Sequence, residues 1–388
     1  MYKISVVLIS VVVLAFCACT VKMRNVLMTP RVEEPGVVKI YFDKEGDLYP
    51  PEVHLSPYYF YLQHLRKQEK GWKKNPGYAT VEESLTRADS LSKAYIRQKY
   101  QLTGPDSIRL FLRLQQTLRK NYVARIEKLM EDNNHKQVVV FIHGFNDPQP
   151  DAYYFSLRRS INEKLKGKVA FVEVYWDGLT DMGDNPIVAS IWGKARPNSA
   201  KVGLGLRNVL NKLNAQTSLT IITHSLGASV ATHALFNPLR WPKTFQEKLD
   251  EEYRSAKIAT PQQKNITLAM LAPAIPGITT FNYINNTVPE KSPLHLKRLI
   301  IGYNHFDYAV TKGGLFARSF GSTALGADAK KEVDKTFNVL KEKAPNTACT
   351  GIDFSYSDTS KLFKQKGHGV MFYEQSCQYA AFLKAVFD

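Results

Sequence analysis

The sequence predicts an α/β protein, with a mostly parallel sheet, helices on both of its faces and a largely helical N-terminal extension. Three observations predict this class. After residue 136 the chain alternates short apolar runs with stretches of helical periodicity, which is the pattern of successive βαβ units. The runs lack polar alternation, as in Val138-Val139-Val140-Phe141-Ile142, and so fit strands buried on both faces. The length of 388 residues, 44% of them apolar and 22% charged, suffices for one large core.

The strand-like runs are Val138–Ile142, Val169–Tyr175, Leu219–Thr223, Ile266–Leu271, Leu296–Tyr303 and Gly351–Tyr356. Helical patterns lie between and after them, over 151–165, 198–213, 226–236, 327–343 and 372–386. These elements make residues 136–388 one sheet domain. Ligands of such sheets bind at the carboxyl ends of the strands, so chemistry is expected in the loops that follow each run. Residues 19–135 form the extension. It is rich in Pro, Tyr and charge up to residue 78 and holds one strand-like run, Val37–Phe42. Two helices are expected next, one over 79–100 with Thr80 and Glu83 as a capping box, and one over 105–132. Ile108, Leu112, Leu118, Val123, Ile126 and Met130 give the second its periodicity.

Residues 1–18 read as a targeting segment: Lys3 supplies positive charge, and Val6 to Phe16 is nearly all apolar. About eleven apolar residues fall short of the roughly twenty needed to span a bilayer. Phe16-Cys17-Ala18-Cys19 resembles the signal of bacterial lipoproteins, with small Ala18 ahead of Cys19. That resemblance implies lipidation at Cys19, export, and a membrane-anchored place in the cell envelope. Cys349 and Cys377 are then the only cysteines of the mature chain, and an exported pair is open to forming a disulfide or remaining as two thiols. Neither has a partner at metal-ligand spacing, so no metal is expected. The formal charge of +17 comes from 52 basic and 35 acidic residues. The basic residues are scattered and form no nucleic-acid module, which leaves solvated surface or anionic lipid.

The run Leu219–Thr223 leads into His224-Ser225-Leu226-Gly227-Ala228 and then a helical stretch. This strand–turn–helix context is that of a nucleophile elbow, in which a sharp turn exposes a serine hydroxyl above the sheet edge. Small residues are needed two before and two after the serine, because strand and helix nearly touch. Gly227 meets the requirement, whereas Thr223 departs from it. One strand–helix unit upstream, Val138–Ile142 runs into His143-Gly144-Phe145-Asn146. Acyl transfer builds negative charge on a carbonyl oxygen, and fixed backbone N–H groups stabilise it.

The elbow and this loop together resemble the α/β-hydrolase superfamily over residues 136–388. The resemblance implies an oxyanion hole made by the N–H groups of Phe145 and Leu226, and a catalytic order of Ser, acid, His. Asp307, in Asn304-His305-Phe306-Asp307-Tyr308 after Leu296–Tyr303, occupies the acid's position. His368, in Lys366-Gly367-His368-Gly369, is the one histidine C-terminal to that loop. Ser225, Asp307 and His368 are therefore the expected catalytic residues. His143 is expected to hold its loop, His224 and His233 to pack, and Asp177 to shape the rim.

The expected function is a serine hydrolase of the esterase, lipase or deacylase type that needs no cofactor. Its substrate would be a small-molecule or lipid ester, and no obligate protein partner is implied. Two alternatives stay open: a serine peptidase or amidase with the same machinery, and a catalytically inactive envelope binding protein with the same fold. Specificity loops are expected at 178–197, 238–264 and 312–326, with Phe145, Trp176, Tyr308 and Phe316 as candidate aromatic walls.

Overall fold

A computed structural model describes residues 26–28, 32–49, 78–80, 105–145, 147, 150–176, 178, 188–236, 261–282, 295–311, 324–327 and 329–388. The targeting segment, Cys19, Asp177, Phe316 and most of the three specificity loops lie outside them.

Nine strands are present among these residues: β1 Val26–Met28, β2 Val37–Phe42, β3 Tyr78–Thr80, β4 Gln137–Ile142, β5 Ala170–Trp176, β6 Ser218–His224, β7 Asn265–Leu271, β8 Leu296–Tyr303 and β9 Ala348–Asp353. β1 and β3 pair with each other in an antiparallel ladder. The other seven form one sheet in the order β2-β5-β4-β6-β7-β8-β9, every neighbouring pair parallel. The unalternated apolar runs have their explanation here, since β4 and β6 are buried at every position except their first.

The order reverses at the centre. From β4 the chain steps outward to β5, then crosses back so that β6 lies on the other side of β4. Loops leaving the carboxyl ends of β4 and β6 therefore diverge and open a crevice between them. The segments carrying Gly144 and Ser225 are those two loops.

Long helices cover the sheet: α1 Pro105–Asp132, α2 Asp151–Leu165, α3 Val188–Leu210 and, further on, α8 Ala329–Lys343. Shorter ones are α4 Gly227–Leu235, α5 Gly277–Asn282, α6 Tyr308–Thr311, α7 Ala324–Ala327, α9 Val370–Glu374 and α10 Tyr379–Phe387. No helix among the described residues is long and apolar enough to cross a membrane.

Several expectations are corrected. The run Val37–Phe42 is a strand as expected, but it belongs to the main sheet, paired with β5. The division at residue 136 therefore does not separate an extension from a sheet domain. An ion-pair cluster, buried except for Glu34, holds β2 in place. Lys39 Nζ lies 2.7 Å from Glu34 Oε1 and 3.8 Å from Glu173 Oε2, and Arg158 bridges the same two glutamates at 2.6 and 3.0 Å. Gln115 of α1 bonds both backbone groups of Leu48, and Tyr122 donates to Tyr49 O. Such buried polar partners are costly to leave unmet, so the N-terminal stretch is fastened to the sheet.

Tyr78–Thr80 is a strand where a helix start was expected. α3 begins ten residues before its expected start, with Pro197 inside it. β9 spans Ala348–Asp353 and not 351–356, and the C-terminal helix is broken into α9 and α10 around Ser376-Cys377.

Cys349 and Cys377 are both free thiols. Cys349 sits near the start of β9, while the N–H of Cys377 bonds Ser357 O, beyond the strand's other end. The four steps along the strand from Cys349 to Asp353 alone span about 13 Å. A disulfide requires Cα atoms within about 7 Å.

Candidate active site

The turn after β6 is a sharp one. Ser225 has φ +52°, a left-handed conformation that serine adopts only when the surroundings impose it. They do so through two backbone bonds to the neighbouring β7 loop: Ser225 N–H to Leu271 O at 3.0 Å, and Ala274 N–H to Ser225 O at 3.0 Å. α4 then begins at Gly227, and its first bonds are donated by Ala228 and Ser229 to Ser225 O and Leu226 O. The N–H groups ahead of them have no acceptor within the helix, and they sit at its positive end. Leu226, expected as an oxyanion donor, is in that position.

The glycines explain how tightly the crevice closes. A methyl group on Gly227 would stand 2.5 Å from Ile142 O and 2.6 Å from His143 O, both backbone atoms. One on Gly144 would stand 2.8 Å from Ser225 Cβ. Gly227→Ala is expected to destabilise the fold by about 3 kcal/mol or more, because Ile142 O belongs to β4 and His143 O accepts the Trp176 indole N–H; urea unfolding would measure it, and an unchanged midpoint would contradict the packing. Thr223, two residues ahead of the serine, is buried, and its Oγ1 has no hydrogen-bond partner. The elbow thus forms with threonine in the crowded position.

His143 supports its loop as expected. Its backbone N–H donates to Tyr154 OH, and its Nε2 accepts the N–H of Trp176 at 3.1 Å. That assignment leaves the proton on Nδ1, which donates to Gly144 O at 2.9 Å. Trp176 in turn donates its indole N–H to His143 O and stacks on the imidazole. Trp176 is fully buried in this role, so it packs the loop and offers no wall to a pocket. Phe145 is half-buried and Tyr308 exposed.

Asp307 and His368, 61 residues apart in sequence, are brought together: His368 Nδ1 donates to Asp307 Oδ2 at 2.7 Å. Asp307 is fully buried at the start of α6, where its Oδ1 accepts the N–H groups of Ala309 and Val310. A second side chain also holds Oδ2, the hydroxyl of Tyr373 on α9 at 2.8 Å. Burial together with that carboxylate pushes the Tyr373 phenol well above its ordinary pKa, so it remains a donor. Sequence reasoning missed Tyr373, and no local signal marks it among the aromatics of Val370–Glu374.

It also misread His224. The ring is buried, and its Nε2–H donates to the backbone oxygen of His368 at 2.7 Å, across 144 residues of sequence. The two imidazoles lie 4.7 Å apart, centre to centre. His368 is thereby held beside the residue that precedes Ser225. Nδ1 of His224 is buried with no hydrogen-bond partner. His233, by contrast, is a buried residue of α4, its Nδ1–H bonded to Ser229 O. The C-terminal carbonyls of that helix are capped by the buried guanidinium of Arg207.

Burial lowers both His224 and His233 to a pKa of about 3, against 6.5 for free histidine. Between those values the unfolded chain takes up protons that the folded protein refuses. The stability of the neutral forms is therefore complete above pH 6.5 and is lost as pH falls toward 3. From neutral pH to about pH 5 the expected loss is on the order of 2 kcal/mol per histidine. Urea midpoints at the two pH values test it, and equal midpoints would contradict it.

Among the described residues no group of three or more His, Cys, Asp or Glu is disposed to hold a metal ion. A seven-stranded parallel sheet, a left-handed serine after the central strand and helices on both sides are now in hand, and residues 119–274 match the family described as "Alpha/beta hydrolase of unknown function (DUF900)". The fold is that of an α/β hydrolase. The matched stretch takes in the His143–Phe145 loop and Ser225, and it ends before Asp307 and His368. No curated protein matches the chain.

Proposed function

We propose that this α/β-hydrolase-fold protein is a serine hydrolase that cleaves carboxylic esters through an acyl-enzyme on Ser225. The observation that carries the reading is the Asp307–His368 pair, tied by His224 to the strained turn of Ser225. In this reading the Ser225 hydroxyl attacks the acyl carbon and passes its proton to His368 Nε2. The N–H groups of Phe145 and Leu226 receive the oxyanion. The imidazolium returns the proton to the departing alcohol, and water, deprotonated by the same imidazole, then releases the acid. Asp307 stays ionised and keeps the His368 proton on Nδ1.

The setting we propose is the cell envelope, with the chain exported and anchored through a lipid on Cys19, as the first nineteen residues suggest. A chain-length series of soluble nitrophenyl esters, run beside matched amides, tests the activity. Ester turnover that vanishes in Ser225→Ala is expected. Faster cleavage of the amides would favour the peptidase reading, and no turnover of either would favour an inactive binding protein.

A further inference from the structure

Seven large apolar side chains stand exposed among the described residues, and five of them lie close in sequence to the Asp307–His368 pair: Tyr308 of α6, Leu362 and Phe363 ahead of the base, and Met371 and Phe372 of α9. Tyr308 follows the acid, and the other four flank the base. Leu362 and Phe363 are the most prominent, at 77% and 65% exposure. They lie on the return arm of a hairpin closed by a Tyr356–Lys364 bridge and by Ser357 N–H to Phe363 O at 3.0 Å. Its turn is held by Ser360 Oγ on Asp358 and by Lys361 in a left-handed conformation. The hairpin is fastened to the site as well: Gln365 O accepts from Asn304, and Gln365 Nε2 donates to Phe372 O.

An adjacent Leu and Phe held out in water on one hairpin arm mark an interaction surface, and the charges say which. Exposed Lys361, Lys364 and Lys366 bracket the apolar pair, against the single acid Asp358 between residues 354 and 373. We propose that this face docks on an anionic lipid bilayer, with Leu362 and Phe363 entering the acyl boundary and the lysines on the headgroups. The docking does not depend on Ser225 being a nucleophile; if it is one, docking carries lipid esters to it.

Amide hydrogen exchange of the full chain tests this with two kinds of vesicle, phosphatidylcholine alone and equal parts phosphatidylcholine and phosphatidylglycerol. An N-terminal anchor would tether the chain to both kinds, so the comparison isolates the face. Expected is slowing on the order of tenfold over 357–363 and 368–372 with the anionic vesicles, lost in a Leu362→Asp/Phe363→Asp variant that keeps its thermal midpoint, and weakened by salt. Equal exchange on the two vesicles would overturn the proposal. So would protection without lipid that grows with protein concentration, which assigns the face to a second copy of the chain.

A second observation stands apart from this face. The buried His224 donates to the His368 carbonyl, and a methyl group on Gly144 would approach its Nδ1 to 3.1 Å, so one ring touches the base loop and the oxyanion loop together. We infer that His224 is a positioning residue that sets the base over the serine, an inference that rests on the serine hydrolase reading. His224→Phe fills the space without the donor, and His224→Gln keeps an N–H. Expected for phenylalanine is a fall in kcat of about 10- to 100-fold with KM nearly unchanged, largely rescued by glutamine. Equal activity in all three proteins, or equal loss in both variants, would overturn it. Ester turnover surviving in Ser225→Ala would instead sink the serine reading, and the two failures are distinct.

Discussion

Replacing His368 by alanine is expected to lower kcat by about four to six orders of magnitude while KM changes little. Without the imidazole nothing takes the serine proton, and a neutral hydroxyl is a poor nucleophile. The protein should stay folded. Asp307 keeps three other donors, Tyr373 OH and the N–H groups of Ala309 and Val310, so its buried charge is not abandoned. His368 itself is only partly buried, with its side chain 25% exposed. Steady-state kinetics with a soluble ester, beside a thermal melt, checks both halves. Near-normal turnover in the folded variant would remove His368 from the mechanism.

Asp307→Asn is expected to cost about three to four orders of magnitude in kcat, although it removes one charge and no volume. Both carboxylate oxygens of Asp307 accept from donors: Oδ1 from two backbone N–H groups, Oδ2 from His368 Nδ1 and Tyr373. An amide must turn its NH2 toward one of these sets. Facing the backbone, it opposes two fixed donors. Facing His368, it drives the proton from Nδ1 to Nε2, and the ring can no longer accept from Ser225. The first orientation sets an NH2 against two fixed N–H donors, so the second prevails and disables the base, and the loss should appear at every pH where the wild type is active. A mere shift of the pH optimum with full activity restored would contradict this account.

Much of this arrangement could be read from the chain before any coordinates. Strands buried on both faces have no alternative in a soluble core, so β4, β6, β7 and β8 announced themselves as apolar runs within about one residue of their ends. β9 was harder. It is the outer strand, largely exposed, and Ala348-Cys349-Thr350-Gly351 carries little hydrophobic signal. β2 was legible as a strand but not as part of the main sheet, because pairing with β5 joins residues more than a hundred positions apart and leaves no local mark. The same holds within the site. Ser225, Asp307 and His368 sit on loops whose order along the chain identifies them, whereas His224 and Tyr373 matter through partners that are distant in sequence. An imidazole donating to a backbone oxygen looks, in sequence, like any buried histidine.

The central claim is that Ser225 is the nucleophile, and covalent labelling tests it most directly. The full chain would be treated with a fluorophosphonate and digested, and the adduct located by mass spectrometry. The account predicts one adduct, on Ser225, absent in Ser225→Ala and formed far more slowly in His368→Ala. An adduct on another residue, or none from any active-serine reagent, would contradict it.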